Sequence, residues 1–318
     1  VKLKTLFGPV PSRRLGFSLG IDIIPFKVCS MDCIYCQLGR TTEKTVRRKR
    51  YTPYHEVLDE WDQLKDTMGQ IDYIAIAGSG EPTLNSHLGK LIEKLKDRAS
   101  FPIAVLTNGS LLFTREVQKE LRNAHVVLPS LDAVTPSIFQ RINRPHPSLS
   151  IDEIVEGLRA FRTMYKGQMW LEIMLVKGVN DSPGELGKIK DALQRIGPDK
   201  VQLNTVVRPG SEGEARPMRF EDLRKIQRYL GKGCEVITAV SRKRKPMGEK
   251  NLEETIISMI RRHPLTISEI IHTLGRKRKE VITCIDRLHD GKMIEVNCHR
   301  GKKYCKMKEE SLVSHGIS

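Results

Sequence analysis

Long apolar runs are missing from this sequence: no uninterrupted stretch approaches the roughly 20 residues that a helix needs to span a bilayer. With hydrophobic residues at 39% and charged residues at 29%, that absence predicts a soluble protein. The first residues, Val1 to Gly8, also lack the apolar core and small-residue cleavage site of a secretory signal. A cytoplasmic address is expected from that. Cysteine is scarce, seven in 318 residues, too few and too clustered for a disulfide framework. In a reducing compartment such cysteines read as thiolate ligands or buried thiols. Aromatic residues, at 5%, supply no stacking surface. Acidic residues are outnumbered, 38 against 54 Lys and Arg, leaving a formal charge of +16. That balance is unusual for an enzyme acting on a small neutral metabolite and favours a polyanionic partner.

What is present is an alternation. From Ser18 to Ala239, short β-branched runs alternate with longer segments of helical period, the signature of parallel βα units. The predicted strands are Leu19–Ile24, Tyr73–Ala77, Ile103–Leu106, Val126–Pro129, Trp170–Leu175 and Val201–Thr205. Helical segments such as Leu88–Arg98 and Ile154–Tyr165 carry one apolar face. Six units are too few for a closed eight-unit barrel, which leaves a partial barrel or a doubly wound sheet.

Residues 241–250 are polar and basic with a Pro and a Gly, as in a linker. Beyond them the period changes. Helices are expected over Leu252–Arg262, Ile267–Thr273 and Lys277–Asp290, then an extended pair, Ile294–Cys298 and Lys303–Met307, around Arg300, Gly301 and Lys302. That order predicts a winged helix-turn-helix, with Thr266 to Glu269 capping its second helix and Leu274-Gly275 turning into the third. The expected organisation is a barrel over 1–240, a basic linker over 241–250, a winged helix over 251–310 and a tail over 311–318.

The informative motif is Cys29, Cys33 and Cys36, spaced C-x3-C-x2-C directly after the first predicted strand. Three thiolates leave one iron of a four-iron cluster without a protein ligand, whereas a structural zinc wants a fourth ligand, from a distant histidine or Cys234. An open iron can chelate the amino and carboxyl groups of a methionine moiety and pass an electron to its sulfonium.

With the aromatic Tyr35 before the last cysteine, this motif resembles the radical S-adenosylmethionine (radical SAM) superfamily, whose fold is a partial (β/α)6 barrel. The resemblance implies a [4Fe-4S] cluster on Cys29, Cys33 and Cys36, and S-adenosylmethionine bound beside it. Ala77 to Leu84 resembles the family's Gly-Glu-Pro loop, which puts Ser79, Gly80 and Glu81 near the methionine amino group. Asn108 after the third strand, and Ser130 and Asp132 after the fourth, are implied contacts to ribose and carboxylate; a turn and a helix N-cap are their other readings. Val176 to Asp181 is similar to a family pattern near the adenosine, and Asn204 and Arg208 face the same edge. The implied activity is reductive cleavage of S-adenosylmethionine to a 5′-deoxyadenosyl radical, fed by an electron donor such as ferredoxin or flavodoxin. Phe7–Gly16 and Gln37–Thr41 resemble a subgroup placed with tRNA wyosine-base synthetases. Those enzymes use additional upstream cysteines for a second cluster, and in this sequence no cysteine precedes Cys29, so their reaction is not implied.

From Ser241 to Ser318 there are 18 Lys and Arg against 10 Asp and Glu, which is +8 of the +16. Arg276, Lys277, Arg278 and Lys279 fall at the start of the candidate recognition helix, and Arg300, Lys302 and Lys303 in the wing, where a nucleic-acid backbone docks. A second run, Arg47 to Arg50, would draw the same polyanion to the barrel mouth. The expected substrate is RNA, tRNA above all. A protein or peptide substrate, or a DNA-binding redox sensor, are the alternatives. Cys234 and Cys284 read as core thiols, and Cys298 and Cys305 as paired strand thiols, with a metal shared with His299 as the other reading.

Overall fold

Short apolar runs, buried along nearly their whole length, build the sheet. The computed structural model of the chain describes residues 3–65, 71–208, 210–237, 252–260, 264–299 and 301–308. In it β1 (Leu6–Ser12) and β2 (Gly16–Ile21) form an antiparallel hairpin. A two-residue ladder follows, β3 (Val28–Cys29) with β4 (Glu43–Lys44), then helix α1 (Tyr54–Leu64). From there strands and helices alternate: β5 (Tyr73–Ile76), α2 (Leu88–Arg98), β6 (Ile103–Thr107), α3 (Arg115–Leu121), β7 (Val126–Pro129), α4 (Pro136–Asn143), α5 (Ile151–Met164), β8 (Gln168–Leu175), α6 (Pro183–Ile196), β9 (Lys200–Thr205), α7 (Phe220–Leu230) and β10 (Cys234–Val236). The sheet order β1-β2-β5-β6-β7-β8-β9-β10 is parallel from β2 onward.

Each helix is held by one apolar stripe. In α2 the buried residues are Leu88, Leu91, Ile92 and Leu95, and each such side chain contributes about 1.5–3 kcal/mol by leaving water. On β5, Ile74 and Ile76 pack with the helices while Ala75, between them, joins Ala104, Val126 and Leu128 on the inner face. These inner residues leave room for Leu15, at the β1–β2 turn, which is buried among them.

All six expected strands are present in the eight-stranded sheet, and the two others in it were not foreseen. The first runs Gly16–Ile21 rather than Leu19–Ile24. Leu6–Ser12 escapes notice because Gly8, Pro9 and Pro11 interrupt its pattern, and Cys234–Val236 is three residues long. The Phe7 ring lies against Gly20, where an added Cβ would fall 2.0 Å from it.

The C-terminal residues contain α8 (Leu252–Ile260), β11 (Leu265–Thr266), α9 (Ile267–Leu274), α10 (Arg278–Asp290), β12 (Ile294–His299) and β13 (Lys302–Met307). The strands form an antiparallel sheet ordered β11-β13-β12. Thr266 and Glu269 make a reciprocal capping box at the start of α9, and Gly275 ends it at φ 62°. Ile256, Met259, Val281, Cys284 and Leu288 are buried in this second core, together with Phe7 and Val10 of β1. The Gly8 amide donates to Ser258 Oγ at 3.1 Å. The outer edge of the barrel sheet is therefore covered by the C-terminal unit instead of facing water. The expected linker 241–250, the end of the first C-terminal helix at Arg261 and Arg262, Arg300 and the tail 311–318 lie outside the described residues. Among the described residues no helix is long and apolar enough to cross a membrane.

Candidate active site

The cysteine loop is held from two sides by backbone. On one side the end of α4 grips it: the Asp32 amide donates to Asn143 O at 3.0 Å, Ile34 to Ile142 O at 3.0 Å, and His146 to Ser30 O at 2.8 Å. On the other, the segment after β9 crosses it, with Ser211 Oγ donating to Cys33 O at 3.0 Å. Cys29, Cys33 and Cys36 are unpaired and half-buried. Each sulfur meets a nitrogen donor from a different part of the chain. Asn108 Nδ2 lies 3.6 Å from Cys29 Sγ, Asn143 Nδ2 lies 3.4 Å from Cys33 Sγ, and Lys27 Nζ lies 3.1 Å from Cys36 Sγ.

Lys27 tests whether a cluster fits here. Its side chain is 3% exposed, and among the described residues Cys36 is the hydrogen-bond partner of its ammonium. A buried cation needs a counter-charge, which a thiolate or an anionic iron-sulfur cluster supplies and a neutral thiol does not. Burial pushes the Cys29 thiol up to about 12, and Cys33 higher, with the carboxylates of Glu81 and Asp132 adding to the effect. Such thiols ionise when a metal takes the proton's place. Among the described residues no three His, Cys, Asp or Glu side chains converge as on a single ion, the three cysteines included, so the fit rests on the donors that approach their sulfurs. The donor set fits a cluster.

The Gly-Glu-Pro loop closes on the cysteine loop directly. A Cβ at Gly80 would lie 2.0 Å from Val28 O and 2.5 Å from Ile24 Cγ2, so glycine is required here by loop-on-loop packing. Glu81 is buried, and its carboxylate accepts from Thr83 N at 3.0 Å, Thr83 Oγ1 at 2.6 Å, Thr107 Oγ1 at 2.6 Å and Asn108 N at 2.7 Å. Burial raises its pKa in spite of these four donors. Glu81 thereby ties the end of β5 to the end of β6 and aims Asn108 at Cys29. Ser79 Oγ donates to Asp22 Oδ2 at 2.5 Å, and the Lys27 amide donates to Ser79 O at 2.7 Å.

A second network starts at Asp132. Its carboxylate accepts from Tyr35 OH, from Asn143 Nδ2 at 2.7 Å and from Met174 N at 2.9 Å. Burial pushes it up to about 6, and the same burial, with Asp132 opposite, holds the Tyr35 hydroxyl well above its ordinary range. Asn180 is fully buried and donates to Asp132 O at 2.7 Å and Met174 O at 2.8 Å, which makes it a bracket for this strand end. Ser130 is half-buried beside Asp132, its amide donating to Thr107 O at 3.1 Å. Asn204 Nδ2 donates to Glu172 Oε1 at 2.7 Å. Tyr35, Ser79, Gly80, Glu81, Asn108 and Asp132 thus gather around the three cysteines, while Ser130 pairs with Glu172 at the end of β7. Lys27, Asn143 and Glu172 belong to the same mouth and were not foreseen. Asn143 is a lone polar residue at a helix end, without a motif to mark it.

The basic residues separate into two groups. Arg48, expected at the mouth with Arg47, Lys49 and Arg50, turns inward instead. It pairs with Glu116 at 2.7 Å and with Glu120, and donates to Thr83 O at 2.8 Å, so it braces the Gly-Glu-Pro loop. Arg47, Lys49 and Arg50 are exposed. Lys277, Arg278 and Lys279 are exposed around the start of α10 with Arg276 half-buried, and Lys302 and Lys303 are exposed at the start of β13. Cys298 lies opposite Lys303 and Cys305 opposite Val296, one exposed and one buried, so these thiols are not paired with each other. Cys284 is a core thiol and Cys234 is half-buried.

Residues 23–187 match the model of the radical SAM superfamily. A UPF0026 protein of Methanocaldococcus jannaschii is 36% identical, over 91% of this chain and 92% of its own length. A GTPase Obg of Brachyspira hyodysenteriae is 39% identical over 93% of this chain, which spans 44% of that relative. A dual-specificity RNA methyltransferase RlmN of Syntrophotalea carbinolica is 25% identical over 64% of this chain and 53% of its own. Among solved structures, a radical SAM methyltransferase from Sphaerobacter thermophilus superposes with a TM-score of 0.51 at 18% identity, covering 69% of this chain and 65% of that one. The shared fold is a parallel partial barrel.

Proposed function

The chain belongs to the radical SAM superfamily, an enzyme family that uses a [4Fe-4S] cluster and S-adenosylmethionine, and we propose that this member modifies RNA, tRNA first among candidates. In this reading Cys29, Cys33 and Cys36 hold the cluster, and Tyr35, Ser79, Gly80, Glu81, Asn108, Ser130 and Asp132 surround S-adenosylmethionine. When bound, the pair supplies one-electron cleavage to a 5′-deoxyadenosyl radical that takes hydrogen from substrate, with the electron delivered by a ferredoxin or flavodoxin.

The chain's own residues do the rest. Lys27 balances thiolate charge at Cys36, and Asn108 and Asn143 direct N–H groups at the other two sulfurs, contacts that tune a cluster's potential. Glu81 and Asp132 fix the strand ends that carry Asn108 and Tyr35. The inward Leu15 and the covering C-terminal unit keep water from the radical's path.

The observation that carries the RNA reading is the charge around α10. Four cations, Arg276 to Lys279, sit at a helix N-terminus, where the macrodipole disfavours positive charge by about 0.3–1 kcal/mol per residue; a phosphate backbone reverses that cost. We read the C-terminal unit as a winged helix with Lys302 and Lys303 in its wing, and the likeness to an RNA methyltransferase supports the same class of substrate. The test is tRNA binding by the anaerobic holoenzyme across a salt series. Replacing Arg276, Lys277, Arg278 and Lys279 with Gln is expected to lower the slope of log K against log salt by roughly 0.9 for each phosphate that is no longer neutralised. Failure of tRNA and other RNA to bind even at low salt overturns the reading.

A further inference from the structure

The turn between β1 and β2 carries two arginines to the mouth of the barrel. Leu15 is buried among Ala75, Ala104, Val126 and Leu128 on the inner face of the sheet, so the turn is seated inside the barrel. Arg14, next to it, pairs with Glu172 of β8. Arg208, just past β9, donates to Gln37 Oε1 at 3.0 Å and pairs with Glu269 of α9 at 3.4 Å. Gln37 directly follows Cys36, so this arginine touches the cysteine loop. The C-terminal unit lands on the same segment, where Tyr304 OH donates to Val207 O at 3.0 Å.

Arg13 is the exception. It is half-buried on the same turn, yet among the described residues it makes no ion pair or hydrogen bond. Burial first, then the neighbouring Arg208 and Arg14, lower its pKa to about 10. The two nearby carboxylates are already engaged: Glu172 by Arg14 and Asn204, and Glu269 by Arg208 and the capping box. A guanidinium beside two others, with its fork of donors unfilled, is matched by a planar or tetrahedral oxyanion that can take two parallel N–H bonds.

We propose that Arg13, backed by Arg14 and Arg208, binds a phosphate group of the substrate at the barrel mouth, beside the cysteine loop. The inference rests on the RNA reading only for the source of that phosphate. A small phosphorylated metabolite offers the same chemistry. The three cations come from the amino-terminal hairpin and the strand end opposite it, so the phosphate they hold lies across the barrel opening. A substrate anchored there places its neighbouring sugar or base over the barrel interior.

The experiment titrates the full-length, anaerobically reconstituted protein in chloride buffer with inorganic phosphate, with S-adenosylmethionine, and with phosphate in the presence of total tRNA. Saturable phosphate binding is expected, weakened roughly 10- to 100-fold by Arg13→Gln, the range for losing a hydrogen bond to a charged group. Arg13→Lys should fall between the two, because it keeps the charge and loses the fork. Arg122→Gln, at an exposed arginine at the end of α3, should bind as the parent does. Since Arg13 makes no contact that folding relies on, the melting temperature of Arg13→Gln should match the parent. Displacement of phosphate by tRNA supports a nucleic-acid source. Phosphate binding that depends on Arg13 but resists tRNA leaves the site standing and removes the RNA reading. No phosphate binding, equal binding by Arg13→Gln, or a loss confined to S-adenosylmethionine overturns the proposal.

Discussion

Replacing Gly80 with Ala should separate loop packing from ligand contact. The added methyl would meet Val28 O at 2.0 Å and Ile24 Cγ2 at 2.5 Å, against 3.4 Å for ordinary contact, so about 1.4 Å of movement is needed. Val28 O is a backbone atom in the two-residue strand that ends at Cys29, and it accepts from the Glu81 amide at 3.2 Å. Relief therefore displaces the first cysteine or breaks the bond that joins the two loops. Overpacking of this kind costs about 1–3 kcal/mol. At about 2–4 °C per kcal/mol for a domain of this size, Gly80→Ala should melt several degrees lower. A misplacement of about 1 Å costs on the order of 100-fold in rate, and the bound iron should fall as well. The assay is iron per chain after anaerobic reconstitution, followed by 5′-deoxyadenosine formation. Gly184→Ala is the control, since nothing lies within 4 Å of that Cβ and a helical alanine is favoured over glycine by about 0.5–1 kcal/mol. Full iron and an unchanged rate in Gly80→Ala would refute the packing argument.

Asn143→Ala removes donors to Cys33 and Asp132 and leaves a buried carboxylate short of one partner; a loss of about 1.5–3 kcal/mol is expected, with a shift in the cluster's reduction potential measured by electron paramagnetic resonance titration. A purely structural Asn143 would lower the melting temperature and leave the potential alone. His125 Nδ1 accepts from the Ile103 amide at 3.0 Å, and burial lowers its pKa below the ordinary 6.5. Its stabilisation is therefore complete above about pH 6.5 and lost as pH falls through the lowered value. In His125→Asn, thermal melts between pH 5 and 8 should show a smaller acid loss than in the parent, and an unaltered profile would count against this assignment. Glu269→Gln loses the charge that Arg208 pairs with and weakens the α9 cap, and a drop of about 1 kcal/mol is expected in denaturant unfolding.

The barrel strands were legible because buried parallel strands are short apolar runs, and Tyr73–Ile76 and Val126–Pro129 are such runs. The site motifs were legible because each falls at the carboxyl end of a strand. What the sequence hid was reciprocal. Glu81 looked like a ligand contact, yet its four donors come from Thr83, Thr107 and Asn108, two of them across the chain. Arg48 looked like one of four surface cations, yet Glu116 and Glu120 of α3 turn it inward. Lys27 and Asn143 matter through the sulfurs they approach, which no local pattern encodes. Phe7 and Val10 pack with residues some 250 positions away, an arrangement only the folded chain creates.

Radical initiation at the three cysteines is tested most directly by the formation of 5′-deoxyadenosine when the reduced, reconstituted protein meets S-adenosylmethionine without oxygen. Product is predicted from the parent chain and none from the variant with Cys29, Cys33 and Cys36 all replaced by Ala. No product from an iron-loaded parent, or equal product from the variant, would contradict it.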